Sequence, residues 1–116
     1  MSWKAIPNGS ETDLVGPVGD TLELTMSSTS ADYDWSGWTW AGQVRATADA
    51  EAVLGEFTFT DSSTSTELAL TAVIDATTTA TLTAGDTVVY AVQGSKSGTV
   101  VTFVSGRVVP LAGIVR

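Results

Sequence analysis

The 116-residue chain contains no cysteine and no histidine. Without Cys there is no disulfide framework, no thiolate ligand for zinc and no thiol nucleophile. Without His the common catalytic triads, imidazole metal sites and near-neutral pH switches are excluded as well. Basic residues are scarce: five Lys+Arg stand against thirteen Asp+Glu, a formal charge of −8. Nucleic-acid binding needs clustered Lys and Arg against phosphates, yet Lys4, Arg45, Lys96, Arg107 and Arg116 are spread singly along the chain. The same scarcity argues against docking on anionic lipid. Excess negative charge keeps a concentrated protein soluble and blunts non-specific association. Long hydrophobic runs are missing too. The first nine residues hold no apolar signal core. The longest apolar stretch, residues 108–115, is too short for a membrane span and is interrupted by Pro110 and Gly113. The expectation is a chain made in a cytoplasm, with no signal peptide and no membrane insertion.

What is present points to strands. The length fits a single domain over residues 1–116, large enough for a core without staples. Thr, Ser and Val are common, and a charged fraction of 16% is low for a helical protein. Thr and Val stiffen χ1 and favour strands, while Ser and Gly punctuate turns. Residues 21–26 alternate, with Leu22, Leu24 and Met26 on one face. Residues 38–45 place Trp38, Trp40 and Val44 together, with Gln43 and Arg45 opposite. Residues 53–60 set Phe57 and Phe59 on one side, and residues 67–72 repeat the device with Leu68 and Leu70. Residues 86–93 set Val88, Tyr90 and Val92 against Val89 and Ala91, as in a central strand buried on both faces. Residues 99–109 are β-branched and are expected to stop near Pro110, which cannot continue a central strand. Residues 94–98 join the last two strands as a hairpin. Six strands plus an N-terminal one, about ten residues apart, read as an antiparallel sandwich of about seven strands. Residues 71–84 are Ala/Thr-rich and predict a crossover, with a short helical turn within 72–84.

The residues that could carry chemistry are few. Trp38 and Trp40 share a face with Val44 and read as core; with Phe57, Phe59, Leu68, Leu70 and Tyr90 they are the expected core anchors. Trp35 lies in the preceding loop and is kept as a surface or interface residue, with Tyr33 beside it. Exposed aromatics there would also offer a stacking platform for sugar rings, the basis of a host-glycan alternative. Asp32, Asp34, Asp49 and Glu51 lack calcium-loop spacing and read as solvated loops. No phosphate-binding glycine pattern occurs; Gly42 and Gly106 fall inside strand patterns, where Gly marks a bulge or a close backbone approach. No metal or cofactor site is expected, and no enzyme: without His or Cys, a nucleophile–base pair would have to come from carboxylates, Lys or Tyr. The apolar C-terminal residues Val109, Leu111, Ile114 and Val115 either pack back on the sandwich or dock on another chain. Under docking, deleting residues 110–116 abolishes assembly and leaves a folded domain. Trp3 and Ile6 raise the same question at the other terminus.

Residues 33–45, Tyr-Asp-Trp-Ser-Gly-Trp-Thr-Trp-Ala-Gly-Gln-Val-Arg, resemble a segment of the immunoglobulin-like domains of tailed-phage structural proteins. The likeness continues through residues 68–71, the Ala/Thr crossover closing on residues 82–85, Tyr90, residues 98–102 and residues 106–108, covering about 20–110. The chain is similar to N-terminal domains of phage baseplate upper proteins and to short actinobacteriophage β-sandwich proteins of long tail fibres or minor tail components. The resemblance implies an all-β, immunoglobulin-like sandwich without enzymatic activity, docking on a tail, baseplate or fibre assembly in several copies. A capsid decoration (minor capsid) protein bridging capsomers on the head is the alternative. The implied partners are other virion proteins, tail or major capsid, and further copies of the chain; the implied location is the virion.

Overall fold

The computed structural model describes residues 3–29 and 34–112. Among these residues the chain forms nine strands and one short helix, arranged as two open sheets in a sandwich-like architecture. The strands are β1 (Lys4–Asn8), β2 (Glu11–Pro17), β3 (Leu22–Thr29), β4 (Thr39–Arg45), β5 (Gly55–Glu56), β6 (Thr58–Asp61), β7 (Glu67–Ile74), β8 (Val88–Lys96) and β9 (Thr99–Leu111). Helix α1 (Ala76–Thr79) lies between β7 and β8. One sheet has the order β1-β2-β9-β8-β4-β5 and the other β3-β7-β6.

Alternation sets the inner faces. Leu22 and Leu24 on β3 and Leu68, Leu70, Ala72 and Ile74 on β7 are buried from one sheet. Val44 on β4, Val88, Tyr90 and Val92 on β8 and Val108 on β9 meet them from the other. The outer face of β8, at Val89 and Ala91, is only half-buried, so the both-faces expectation holds for the inner row alone. Trp3 also packs on this core and its indole N–H donates to the Asp20 carbonyl at 3.1 Å, whereas Ile6 stays exposed.

Four expectations change. The sheets are not wholly antiparallel, because β2 and β9 pair in parallel from Leu14↔Val108 to Pro17↔Leu111. The N-terminal hairpin β1–β2 joins the open side of β9, and β2 runs in the same direction as β9 there. The strand expected over 53–60 is two strands in different sheets. Phe57 marks the crossing: its N–H donates to the Gly42 carbonyl at 3.0 Å while its ring enters the core. The last strand runs past Pro110 to Leu111, with Pro110 fully buried. The β8 ladder ends at Val88↔Val108, so Pro110 has a strand neighbour on one side only, an edge-like position that tolerates a missing N–H. Finally, residues 71–74 belong to β7 rather than to the crossover.

The expected helical turn is present. Asp75 caps α1, accepting from the Thr78 N–H at 2.8 Å, and Thr79 is buried beneath it. The Thr79 hydroxyl donates to the Asp20 carbonyl at 2.7 Å and accepts from the Gly19 N–H at 3.1 Å. This pins the turn between β2 and β3 to the crossover.

Candidate functional site

The β8–β9 hairpin turns through Ser97 and Gly98, both at positive φ (53° and 84°). Two successive residues of this kind make the two-residue turn whose twist matches that of the flanking strands. The register then shifts between Val92↔Val104 and Gln93↔Thr102, leaving Phe103 as the extra residue of a β-bulge. The bulge lets two successive side chains, Phe103 and Val104, face inward.

Phe103 gathers an aromatic cluster at this end of the sandwich. Its ring centroid is 4.8 Å from that of Trp40, 5.5 Å from Trp35 and 5.8 Å from Trp38. Trp38 and Trp40 stack at 6.0 Å. Offset and tilted pairs at such distances add roughly 0.5–1.5 kcal/mol each beyond area burial. The rings lie over Gly94, where a Cβ would meet Trp40 at 2.9 Å, Trp38 at 3.0 Å and Phe103 at 3.1 Å. Gly42 is covered in the same way, with Phe57 at 2.8 Å from an added Cβ. Bare backbone therefore serves as the floor on which the aromatics sit. Phe103→Ala is expected to erase most of the near-UV circular dichroism of the cluster and to cost about 2 kcal/mol in urea unfolding.

Charged groups hold the rim. The Trp40 indole N–H donates to Asp61 Oδ2 at 3.1 Å, and the Trp38 indole N–H donates to the Asp34 carbonyl at 2.9 Å. Lys96 Nζ donates to the Ser36 carbonyl at 2.7 Å and lies 3.6 Å from Asp34 Oδ2. Partial burial pushes the Asp61 carboxyl up, but hydrogen bonds from the Ser63 hydroxyl and N–H and from Trp40 outweigh it, leaving the carboxyl below its ordinary value. Asp34 is also held low, by the Ser36 hydroxyl and N–H and then by the Lys96 charge. A carboxylate with a depressed folded pKa stabilises fully above the unfolded value, about 3.9, and loses that contribution as pH falls through the folded value. The near-UV signal is therefore expected to stay flat down to about pH 4 and to change only below it. In Asp61→Asn the Asp61 part of that acid step is expected to vanish.

The anticipated site residues are divided by these observations. Trp35, expected at the surface, is 7% exposed, packed with Leu68, Leu70 and Phe103 between the sheets. Its loop crosses from one sheet to the other, which carries the ring inward. Little of its face is open to a sugar ring. Trp38, Trp40 and Phe59, expected in the core, are half-buried because they sit where the sandwich opens. Val44, Phe57, Leu68, Leu70 and Tyr90 are buried as expected. Tyr33, Ile114 and Val115 lie outside the described residues. Val109 is half-buried between the core and solvent, and Leu111 is 39% exposed. Trp35 and Leu111 do not share a surface. Trp35 packs on Phe103, and eight residues of strand separate Phe103 from Leu111, on the order of 25 Å.

Two concave features accompany the cluster. A slot of about 440 Å³ runs between β3 and β9, lined by Met26, Ser27, Trp35, Leu68, Phe103 and Val104. A shallow groove of about 570 Å³ lies on the outer face of the larger sheet, with Ala41, Gln43, Arg45, Ala91, Gln93 and Ser105 among its lining. The Arg45 guanidinium is committed to Gln43 Oε1 and to the Ala50 and Glu51 carbonyls. Tyr90 donates its hydroxyl to the Thr12 carbonyl; burial, with the charges of Asp13 and Glu11, pushes its phenol up to about 12. The Tyr90 phenol is therefore not poised as a base near neutral pH. Among the described residues no group of three or more Asp and Glu converges to hold a metal ion, and no helix is long and apolar enough to cross a membrane.

No family model, curated protein or solved structure matches the chain.

Proposed function

We propose that the chain is a non-enzymatic structural subunit of a tailed-phage virion, an immunoglobulin-like sandwich that docks on the tail, baseplate or fibre assembly. The strand order supports the immunoglobulin-like part. Immunoglobulin domains set strands B, E and D in one sheet and C, F and G in the other. Labelling β3, β4, β6, β7, β8 and β9 as B to G reproduces both sets, with β5 added beside β4. The motif of residues 33–45 supports the phage assignment.

The observation that carries the docking reading is the placement of exposed apolar side chains at both ends of β9. Val100 is 63% exposed beside the hairpin turn, and Leu111 is exposed at the far end, about 35 Å away along the strand. Contacts at opposite ends of a rigid rod suit a subunit placed between neighbours. Immunogold labelling of purified virions with antibody against the folded chain tests the proposal. Label at the tail or its tip is the expected result. Label over the head would replace it with capsid decoration, and unlabelled virions would overturn both.

A further inference from the structure

Strand edges are where one β protein meets another, and most edges of this molecule are guarded. The outer edge of β1 carries Lys4 and Pro7; β5 is two residues long; β6 is four residues long and ends at Asp61. The free edge of β3 carries Glu23 and ends in Ser27-Ser28-Thr29. Charge, proline and shortness are the ordinary protections of an exposed edge.

The start of β9, up to the Phe103 bulge, has none of them. Among the described residues, β2 pairs with β9 only from Val108 onward, and Thr12 backbone closes against Gly106. Residues 99–105, Thr-Val-Val-Thr-Phe-Val-Ser, are uncharged and mostly β-branched or aromatic, with Val100 and Val101 exposed. The closing pair of the hairpin is Lys96↔Thr99. In a two-residue hairpin that pair exchanges hydrogen bonds, so alternation turns the N–H and C=O of Val100 and Thr102 away from β8.

We propose that two copies of the chain pair edge to edge through residues 99–105 of β9, antiparallel about a two-fold axis. This rests on the reading of the chain as an assembly subunit and names its first partner. A parallel arrangement would drive residues 106–111 of the second copy into the space that β2 occupies. The antiparallel arrangement sends those residues past the hairpin turn instead, so the two bodies point in opposite directions. A strand paired with its own copy in this way is self-complementary and closes at two. Charge favours the same place. A molecule of charge −8 repels its own copy over most of its surface. At the two ends of this edge, however, Lys96 pairs with Asp34, and Arg107 pairs with Asp13 and lies in the field of Glu11, so basic groups offset part of the acidic charge where two copies meet.

The absence of native cysteine makes the test direct. Light scattering of the full chain should give twice the chain mass, and mild oxidation of Thr102→Cys, which the two-fold axis sets opposite its own copy, should give covalent dimers. Leu111→Cys, exposed but off this edge, should not. Thr102→Pro removes an outward N–H without touching the β8 ladder and should weaken association about tenfold or more. If its circular dichroism shows misfolding, Thr102→Lys serves in its place. A native chain of single mass, or cross-linking as efficient through Leu111→Cys, overturns the pairing. A single-mass chain whose antibody still labels virions overturns the pairing and leaves the virion reading intact; a dimer on unlabelled virions does the reverse.

Discussion

Gly106→Ala is expected to lower the stability of the protein by about 3 kcal/mol or more, read as a fall in the urea midpoint at unchanged slope. An added Cβ would sit 2.8 Å from the Thr12 carbonyl carbon and closer still to its oxygen. Both belong to backbone, and neither can swing aside as a side-chain tip would. Relief requires moving β2, but β2 is fixed at this level by three other contacts. The Tyr90 hydroxyl donates to the same Thr12 carbonyl. The Asp13 carboxylate accepts from the Arg107 N–H at 3.2 Å and from the Arg107 guanidinium at 2.9 Å. The substitution therefore opposes the seam between β2 and β9 in the larger sheet. In a domain of this size the loss corresponds to a melting shift of more than ~10 °C.

Cutting the chain before Pro110 is expected to cost about 4 kcal/mol, a large part of ordinary domain stability. Pro110 is fully buried, its carbonyl accepts from the Gly85 N–H at 3.0 Å, and the Leu111 carbonyl accepts from the Val18 N–H at 2.9 Å. Removing them strands two donors, at roughly 1–3 kcal/mol each where water cannot replace the partner, and opens a hole beside Gly16. The deletion of 110–116 thus cannot separate docking from folding, contrary to the expectation from hydropathy. A chain ending at Ala112 keeps each of these contacts and is expected to unfold at a higher urea concentration than the shorter one. Urea unfolding of the two truncations side by side checks the prediction.

Period-two alternation made the inner faces of β3, β7 and β8 readable, because which side of a strand is apolar is a local property. Leu22 and Leu24, Leu68 and Leu70, and Tyr90 all lie where that alternation places them. The Ala/Thr crossover was likewise legible as a turn of helix. What alternation cannot carry is which strand lies beside which. The parallel partner of β9, the exchange of sheets at Phe57 and the burial of Trp35 all depend on residues far away in sequence. Phe103 was missed as the centre of the aromatic end, although one local sign was available. Phe103 and Val104 are adjacent and apolar, breaking the phase of the alternating pattern ahead of Gly106, as a bulge does. Whether Leu111 packs on its own sandwich or on another chain stayed open, and only its apolar character was readable in the sequence. Its distance from the tryptophans was not, because that requires knowing that one strand spans the molecule.

The seam between β2 and β9 also sets an order of events in time. Asp13 and Arg107 are 94 residues apart in the chain. At ordinary rates of synthesis, about 5–20 residues per second, β2 is complete for roughly 5–20 s before its neighbour exists. The hairpin of β8 and β9, closed by two residues, needs only microseconds once both strands are available. The larger sheet is therefore assembled from its late end, with β9 settling on β8 and only then receiving β2. Until that moment β2 is an open edge on an unfinished domain, and the acidic charge of the nascent chain keeps neighbouring copies apart.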